Sequence, residues 1–166
     1  MVDYEGLKDT IDLSVRFLDN TIEKSKYPLP EITAMVKGNR KIGLGVMGFA
    51  DLLYQLNIPY NSDEAIETAE SVMRFIQENA QEASQNLSEE RGVFPNWENS
   101  IYNDKGVKLR NATCTTIAPT GTLSIIAGCS SGIEPLFALS FVRNVMDNDK
   151  LLEVNPYFEE VANEQR

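Results

Sequence analysis

Hydrophobic residues at helical spacing run through the first half of the chain. Across residues 5–25 they recur every three or four positions, which predicts a surface helix with one buried face. Prolines within residues 27–30 end that pattern and suit a helix restart at Glu31. After a glycine-containing loop over residues 38–43, the apolar run 44–56 predicts another helix, buried on most sides.

The longest apolar stripe follows residue 61. Asn61 and Glu64 fit a capping pattern, and Gly92 is placed to end the helix. The stripe alternates spacings of three and four over about three heptads, through Ile66, Ala69, Met73, Ile76, Ala80, Ala83 and Leu87. It is compatible with a coiled coil or with a long helix packed on its own domain. The three alanines favour the second, because small side chains permit close packing within one molecule.

The pattern changes in the second half of the chain. Residues 93–110 mix polar and apolar positions, and we expect an ordered but irregular crossing segment. The β-branched run 113–117 favours a strand, which Pro119 ends. Three further segments are predicted: a β-compatible stretch at 138–145, a polar turn at 147–150, and a last helix from Asn155-Pro156 to about residue 163.

The segment Pro-Thr-Gly-Thr-Leu-Ser at 119–124 joins the predicted strand to a short apolar helix. Thr120 stands where an N-cap belongs, so Gly121, Thr122 and Leu123 would offer backbone N–H groups that have no partner within the helix. Thr120 could simply cap an ordinary helix. Alternatively the turn binds an anion, because Gly121 leaves space for a ligand and Thr122 and Ser124 add hydroxyls beside the donors. The occurrence of free N–H groups, a glycine and two hydroxyls in one turn favours an anion site over an ordinary helix cap.

Two other glycine patterns are weaker. Gly43, Gly45 and Gly48 match Gly-x-Gly-x-x-Gly by spelling, but the preceding residues 40–42 are too few and too basic for a buried parallel strand. We therefore expect these small residues to let a helix pack closely. No lysine follows Gly121, so the later turn is not a Walker loop.

Composition narrows the function classes. A formal charge of −10 without a basic cluster argues against a nucleic-acid polymer as partner. No apolar run reaches the roughly 18 residues of a membrane span, so we expect a cytoplasmic protein without a membrane partner. The chain has no histidine, which excludes a histidine triad and a histidine-rich metal site. Cys114 and Cys129 are too few for a disulfide scaffold, and we expect packed, inert thiols.

Chain length and the ratio of predicted helices to predicted strands indicate the architecture. The 166 residues, 42% of them hydrophobic, suffice for one domain of helix-rich α/β class. Four or five predicted helices accompany only two strands, about 20 residues apart, and two isolated strands make a poor sheet. The chain therefore resembles part of a larger protein.

Four segments in order carry a family resemblance: Arg-Lys-Ile-Gly-Leu-Gly-Val-Met-Gly-Phe-Ala at 40–50, Glu-Glu-Arg-Gly-Val-Phe-Pro at 89–95, Ala-Pro-Thr-Gly-Thr-Leu-Ser at 118–124, and Ser-Gly-Ile-Glu-Pro at 131–135. They resemble the ribonucleotide reductase large subunit, most closely its adenosylcobalamin-dependent (class II) type. The iron-dependent class I large subunit is the alternative within the family.

The resemblance implies the C-terminal part of a catalytic barrel with ten strands in two parallel halves. Residues 1–166 would form a single partial region of that barrel. Its parts would be helical residues 1–92, the crossing 93–110, a strand-turn-helix phosphate region at 111–135, and a strand with a last helix at 136–166.

The resemblance also implies an activity, the reduction of ribonucleoside di- or triphosphates by radical chemistry. This is an oxidoreductase reaction at a CH or CH2 group with a disulfide as acceptor. The substrate's phosphates would contact Thr120, Gly121, Thr122, Leu123 and Ser124. Adenosylcobalamin would serve the parent enzyme, with none bound to this fragment, and the partners would be the ribonucleotide, the remainder of the barrel and a thiol reductant.

The family's catalytic cysteines lie upstream of the matched region, so we expect no catalytic residue in this chain and no turnover by the fragment alone. Neither Cys114 nor Cys129 matches a family redox position. Arg143 is a candidate phosphate cation only if the second strand brings it back to the turn. The alternative from another class is a non-catalytic helical interaction module that uses the 61–91 helix as its partner surface.

Overall fold

The computed structural model describes residues 1–136, 138–145 and 149–164. It forms two compact units: unit 1 is Met1–Gly45 with Glu67–Ile117, and unit 2 is Val46–Ile66 with Ala118–Arg166. The elements in chain order are α1 (Tyr4–Lys24), α2 (Pro30–Asn39), α3 (Phe49–Gln55), α4 (Asp63–Arg91), a 3₁₀ turn (Trp97–Asn99), α5 (Ile101–Asp104), α6 (Gly121–Ala127), β1 (Ser140–Val145), β2 (Asp149–Val154) and α7 (Pro156–Glu164). No helix in the described ranges is long and apolar enough to cross a membrane.

Unit 1 is built on α1 and most of α4. The helix predicted at 5–25 is confirmed as α1, whose first turn is capped by Asp3 accepting from Gly6 N at 3.0 Å. The buried aliphatic core includes Ile11, Val15, Ile22, Ile76, Ala80, Ala83 and Leu87. Burying each large aliphatic side chain contributes about 1.5–3 kcal/mol, so this face holds the two helices together.

Helix α4 packs within its own unit. Its residues from Ile76 to Leu87 supply the buried stripe, and Lys8–Glu82 (3.1 Å) and Arg16–Glu90 (2.7 Å) pair α1 with its outer face. The long helix packed on its own domain is therefore confirmed over the coiled coil.

The predicted C-terminal end of α4 is confirmed, whereas its predicted N-cap is wrong by one residue. The stop at Gly92 is confirmed by its left-handed φ of +81°, which glycine adopts without strain. The Asn61 cap is wrong by one residue, because Ser62 Oγ accepts the hydrogen bond from Ala65 N at 3.2 Å.

The helix predicted at 44–56 is wrong over its first part. Leu44 forms a parallel bridge with Thr115, and Leu44 N donates to Cys114 O at 2.8 Å. A Cβ on Gly45 would lie 2.7 Å from the Thr116 carbonyl oxygen, so glycine permits the close approach. Residues 42–44 are thus extended and α3 begins only at Phe49, because the local apolar pattern does not reveal a strand partner 71 positions further along.

The segment 40–42 forms no named strand, which agrees with its short and basic sequence. It does contact the segment 113–116, because Ile42 is 8% exposed and its N–H donates to Thr113 O at 3.0 Å. Arg40 does not take part in this contact: it ends α2 in the left-handed conformation (φ 48°), and its guanidinium is buried against Asp19. The glycines do allow close packing, but against an extended segment and not from within a helix.

A buried ionic cluster around Asp19 joins the elements of unit 1. Arg40 donates to Asp19 Oδ1 through Nε at 3.0 Å and Nη2 at 2.7 Å, and Arg91 Nη1 donates to Oδ2 at 2.9 Å. Asn111, which is fully buried, adds an Nδ2 bond to Oδ1 at 3.1 Å. Burial alone raises the pKa of the Asp19 carboxyl, but Arg40, Arg91 and Asn111 outweigh burial and hold it below its ordinary value.

Unit 2 contains α3, α6, α7 and the β1–β2 hairpin. The strands pair antiparallel from Ser140↔Val154 to Val145↔Asp149, so the strand predicted at 138–145 is confirmed as β1. The polar turn predicted at 147–150 is wrong at its end, because β2 begins at Asp149; residues 146–148 lie outside the described residues. The last helix starts as predicted, with Asn155 Oδ1 accepting from Phe158 N at 3.0 Å.

The crossing segment 93–110 is ordered as predicted, although it contains the 3₁₀ turn and α5. Trp97 Nε1 donates to Val107 O at 2.7 Å across it. The segment is therefore held by specific hydrogen bonds despite its lack of long elements.

Candidate functional site

The turn before α6 has a left-handed residue at its centre. Thr120 has φ 55° and ψ 24°, a conformation that is uncommon for a β-branched residue. The predicted side-chain cap is wrong, because Thr120 Oγ1 accepts from Gly132 N at 2.7 Å and makes no bond to α6. The hydroxyl thus connects the turn to the loop 128–132.

The amide donors of the turn are free within the described part of the chain. Ser124 N donates to Thr120 O at 2.8 Å, but the N–H groups of Gly121, Thr122 and Leu123 reach no acceptor among the described residues. A Cβ built on Gly121 meets nothing within 4 Å, so these donors border open space. This geometry suits an anion, because free N–H groups lie at the positive end of a helix dipole.

Ser124 differs from the other candidate residues. It is 3% exposed, and its Oγ lies 2.9 Å from Ser131 Oγ and 3.2 Å from Gly121 O. Gly121, Thr122 and Leu123 are exposed, and Thr120 is half-buried. The structure therefore gathers four of the five residues at the open side of the turn, while the Ser124 hydroxyl faces the loop 128–132.

Asp51 on α3 is a site residue that the sequence analysis missed. It is 5% exposed, and Oδ2 accepts from Ser130 N at 2.6 Å while Oδ1 accepts from Asn155 Nδ2 at 3.2 Å. Gly48 N also donates to Ser130 O at 2.8 Å. The available signal was a single carboxylate inside the apolar run at 49–53, since buried charges need specific partners.

Cys114 is buried as expected, whereas Cys129 is half-buried. Burial raises the pKa of Cys114 to about 11 despite a hydrogen bond with Ser84. Burial also raises the pKa of Cys129, and the Asp51 carboxylate raises it further. Because the thiolate is the reactive form, neither group is activated as a nucleophile.

A cavity of about 840 Å³ lies within unit 2 beside α6. Asp51, Gly121, Ser124, Ser130 and Asn155 line its polar part. No cluster of three or more metal-ligating side chains is found in the part of the chain that the structure describes.

Arg143, the candidate phosphate cation, lies on β1 of unit 2. The side chain of Arg143 lies outside the described residues. Backbone donors are therefore the anion-binding groups that can be identified.

Comparison with known proteins identifies the class to which this fold and turn belong. The family described as "Ribonucleotide reductase, barrel domain" matches residues 1–108 and 104–166. The chain belongs to this family, and the resemblance drawn from its motifs is confirmed.

Three individual relatives show which members of the family the chain is similar to. The chain is 56% identical over 163 residues to a vitamin B12-dependent ribonucleoside-diphosphate reductase of Thermoplasma acidophilum, a match covering 98% of the chain and 21% of the relative. A Mycobacterium tuberculosis protein of the same description is 48% identical over 164 residues, covering 99% and 23%. A ribonucleoside-diphosphate reductase subunit alpha of Chlamydia pneumoniae is 32% identical over 185 residues, covering 89% and 18%. The chain thus spans about a fifth of the length of these relatives.

Proposed function

We propose that this chain is the substrate-phosphate-binding segment of a vitamin B12-dependent ribonucleoside-diphosphate reductase and has no turnover by itself. Family membership and 56% identity to a relative of that description support the parent activity. In that reaction the ribose 2′-hydroxyl leaves as water and a dithiol supplies the two electrons. The contribution of this chain is to bind the diphosphate through Thr120, Gly121, Thr122, Leu123 and Ser124.

The free N–H groups of Gly121, Thr122 and Leu123 carry the proposal. Hydrogen bonds to a charged group contribute about 1.5–3 kcal/mol each, and a helix N-terminus adds roughly 0.3–2 kcal/mol. Because the chain carries a formal charge of −10, which repels an anion, we expect these short-range contacts alone to bind phosphate weakly. Tight binding would need further groups from the remainder of the enzyme.

Adenosylcobalamin would initiate the radical chemistry when it is bound to the parent enzyme. The described residues of this chain form no pocket built for it: the cavity in unit 2 is lined largely by serines and aliphatic side chains, without a set of donors for a large polar cofactor. No step assigned to this chain therefore passes through the cofactor, and we expect none to bind to the fragment.

The remainder of a ten-stranded catalytic barrel is the proposed structural partner. The parallel bridge between Leu44 and Thr115 supports this, because a barrel of this class is built from parallel strands. Ile117 beside the bridge is 63% exposed, so further covering elements would bury it. The parent would be a cytoplasmic enzyme that supplies deoxyribonucleotides for DNA synthesis, with a thiol reductant as co-substrate and neither a nucleic-acid polymer nor a membrane as partner.

A titration with inorganic pyrophosphate tests the phosphate site. We expect the amide resonances of Gly121 and Thr122 to shift at millimolar pyrophosphate. Gly121→Asp should abolish the shifts, because an acidic residue in the first helical turn preserves the helix and places a negative charge in the open space. Ile126→Asp is the matched control on the same helix, 78% exposed in the native chain. Unmoved Gly121 and Thr122 amides would show that the turn is not a phosphate site.

The inactivity of the fragment has its own test. The chain is incubated with a ribonucleoside diphosphate, adenosylcobalamin and a dithiol, and deoxynucleotide is quantified. We expect none above background, and its formation would refute the fragment assignment.

The non-catalytic interaction module is the less supported alternative. It requires a large exposed apolar stripe on α4, but Ile76, Ala80, Ala83 and Leu87 are buried within unit 1. Ile66, 67% exposed, is the part of the predicted stripe that remains available.

A further inference from the structure

We propose that Asp51 is a positioning residue that sets the geometry of the phosphate-binding turn through the loop 128–132. This inference rests on the proposed function, because it concerns the same turn. Asp51 contacts neither the free amides nor any residue of the turn directly in the described hydrogen bonds. Its effect is transmitted by Ser130 and the residues that follow it.

The turn depends on this loop. Thr120 makes no side-chain bond to α6, and its Oγ1 accepts from Gly132 N at 2.7 Å instead. At the other end of the turn, Ser124 Oγ lies 2.9 Å from Ser131 Oγ. Both ends of the donor-bearing segment are therefore attached to two consecutive loop residues. A shift of the loop changes where the free amides point.

The loop in turn depends on α3. Asp51 Oδ2 accepts from Ser130 N at 2.6 Å, the residue immediately before the two that contact the turn. Asp51 Oδ1 accepts from Asn155 Nδ2 at 3.2 Å, and Asn155 also caps α7. The carboxylate is 5% exposed, so these bonds are sheltered from competition with water. Asp51 thus fixes Ser130 against two helices of unit 2.

The charge of Asp51 acts in the opposite direction. A carboxylate in the same cavity as Gly121 and Ser124 disfavours an incoming phosphate by like-charge repulsion. If charge were its sole influence, any neutral replacement would strengthen phosphate binding. If position is its role, a replacement that loses the Ser130 bond weakens binding even though the repulsion is gone. The two effects differ in sign and can be separated.

Three variants make that separation in the complete 166-residue chain, with pyrophosphate as the probe and the Gly121 and Thr122 amides as the readout. Asp51→Asn keeps the shape and the acceptor for Ser130 N but loses the charge and the acceptor for Asn155 Nδ2. Asp51→Glu keeps the charge but displaces the acceptor by one methylene. Asp51→Ala loses both. Glu159→Ala is the matched control, since it removes an exposed carboxylate on α7 that has no contact with Ser130 in the described hydrogen bonds.

We expect Asp51→Ala and Asp51→Glu to weaken pyrophosphate binding about tenfold or more, since small misplacements of binding groups have effects of that order or larger. Asp51→Asn and Glu159→Ala should stay within about threefold of the wild type, since the bond to Ser130 is kept or untouched. Unfolding midpoints measured alongside separate loss of the site from loss of the fold. If Asp51→Ala does not fold, the comparison of pyrophosphate affinity between Asp51→Glu and Asp51→Asn tests the proposal.

Two outcomes overturn the proposal. Tighter binding in both Asp51→Ala and Asp51→Asn would show that charge alone acts, and equal binding in all variants would show that Asp51 has no role at the turn. Absence of pyrophosphate shifts in the wild type is a different result, since it refutes the phosphate site itself and removes the function that Asp51 would serve.

Discussion

Asp19 in unit 1 and Asp51 in unit 2 are both buried carboxylates, at 0% and 5% exposure, but they are stabilised in different ways. Asp19 is bound by the guanidinium groups of Arg40 and Arg91. Asp51 accepts from a backbone amide and from the Asn155 side chain. The first arrangement compensates charge with charge, while the second compensates it with neutral donors.

This difference distinguishes a carboxylate that stabilises the fold from one that positions a binding site. Removing Asp19 leaves the buried Arg40 guanidinium with the half-exposed Glu23 as its carboxylate partner and takes a counter-charge from Arg91, which is among the costly defects in a protein interior. Removing the charge of Asp51 leaves only neutral donors to satisfy. A buried acid paired with arginines therefore maintains the fold of unit 1, whereas one bonded to a loop amide can determine the geometry of a neighbouring turn.

The largest expected effect is at Asp19. We expect Asp19→Asn to lower the free energy of unfolding by about 3–5 kcal/mol, the usual cost of breaking a buried ion pair from one side. Urea denaturation measures this change. Asp9→Asn, an exposed substitution on the same helix, is the control and should change stability by less than about 0.5 kcal/mol. Equal effects of the two substitutions would show that the cluster is not a stabilising feature.

Acid should weaken unit 1 through the same carboxyl. The pKa of Asp19 is lower in the folded chain than in the unfolded chain, so folding releases protons from it. Its stabilisation is complete above the unfolded pKa of about 4 and is lost as the pH falls through the folded pKa. Urea midpoints measured at decreasing pH should fall more steeply for wild type than for Asp19→Asn. Parallel pH profiles would contradict the assignment.

Asp51 should give a smaller change in stability. We expect Asp51→Ala to cost about 1–3 kcal/mol, because it leaves the half-buried Ser130 N without its acceptor. Asp51→Asn should cost less than Asp19→Asn, because no cation loses its counter-charge. Urea denaturation of the two asparagine variants side by side checks the comparison, and a larger loss at Asp51 would reverse it.

The smallest effect concerns the Cys129 thiol. Burial and then the Asp51 carboxylate raise its pKa, so Asp51→Asn should lower that pKa and quicken alkylation by iodoacetamide at mildly alkaline pH. Cys114, with a pKa raised to about 11, should stay unmodified in both proteins and serve as the internal reference. An unchanged rate at Cys129 would indicate that the carboxylate does not act on the thiol.

Sequence reasoning succeeded where the determining signal is local. The apolar spacing of α1 and α4, the glycine stop at Gly92 and the Asn155-Pro156 start of α7 depend on neighbouring residues alone. The family resemblance also followed from short motifs and is confirmed. The free donors at Gly121 and Thr122 were predictable because they lie in the first turn of a helix, although the strand predicted before it at 113–117 is reduced to an isolated bridge at Thr115.

The failures involve partners distant in sequence. Residues 44–48 have the apolar pattern of a helix, but pairing with Thr115 keeps Leu44 extended. The Thr120 side chain does not cap α6, because its hydroxyl accepts from Gly132 N. That bond depends on a loop that returns twelve residues later in the sequence. Asp51 was missed because its partners lie 79 and 104 positions away. Local patterns do not contain such contacts.

The short parallel pairing of residues 42–44 with 113–116 also has a kinetic consequence. The contact between Thr113 and Ile42 spans 71 positions, so its formation requires closure of a long loop, whereas α1 and α4 form from neighbouring residues. We therefore expect the helices to be established before this pairing. During that interval the segment 113–116, rich in β-branched residues, exposes unpaired backbone groups and is vulnerable to association with other chains.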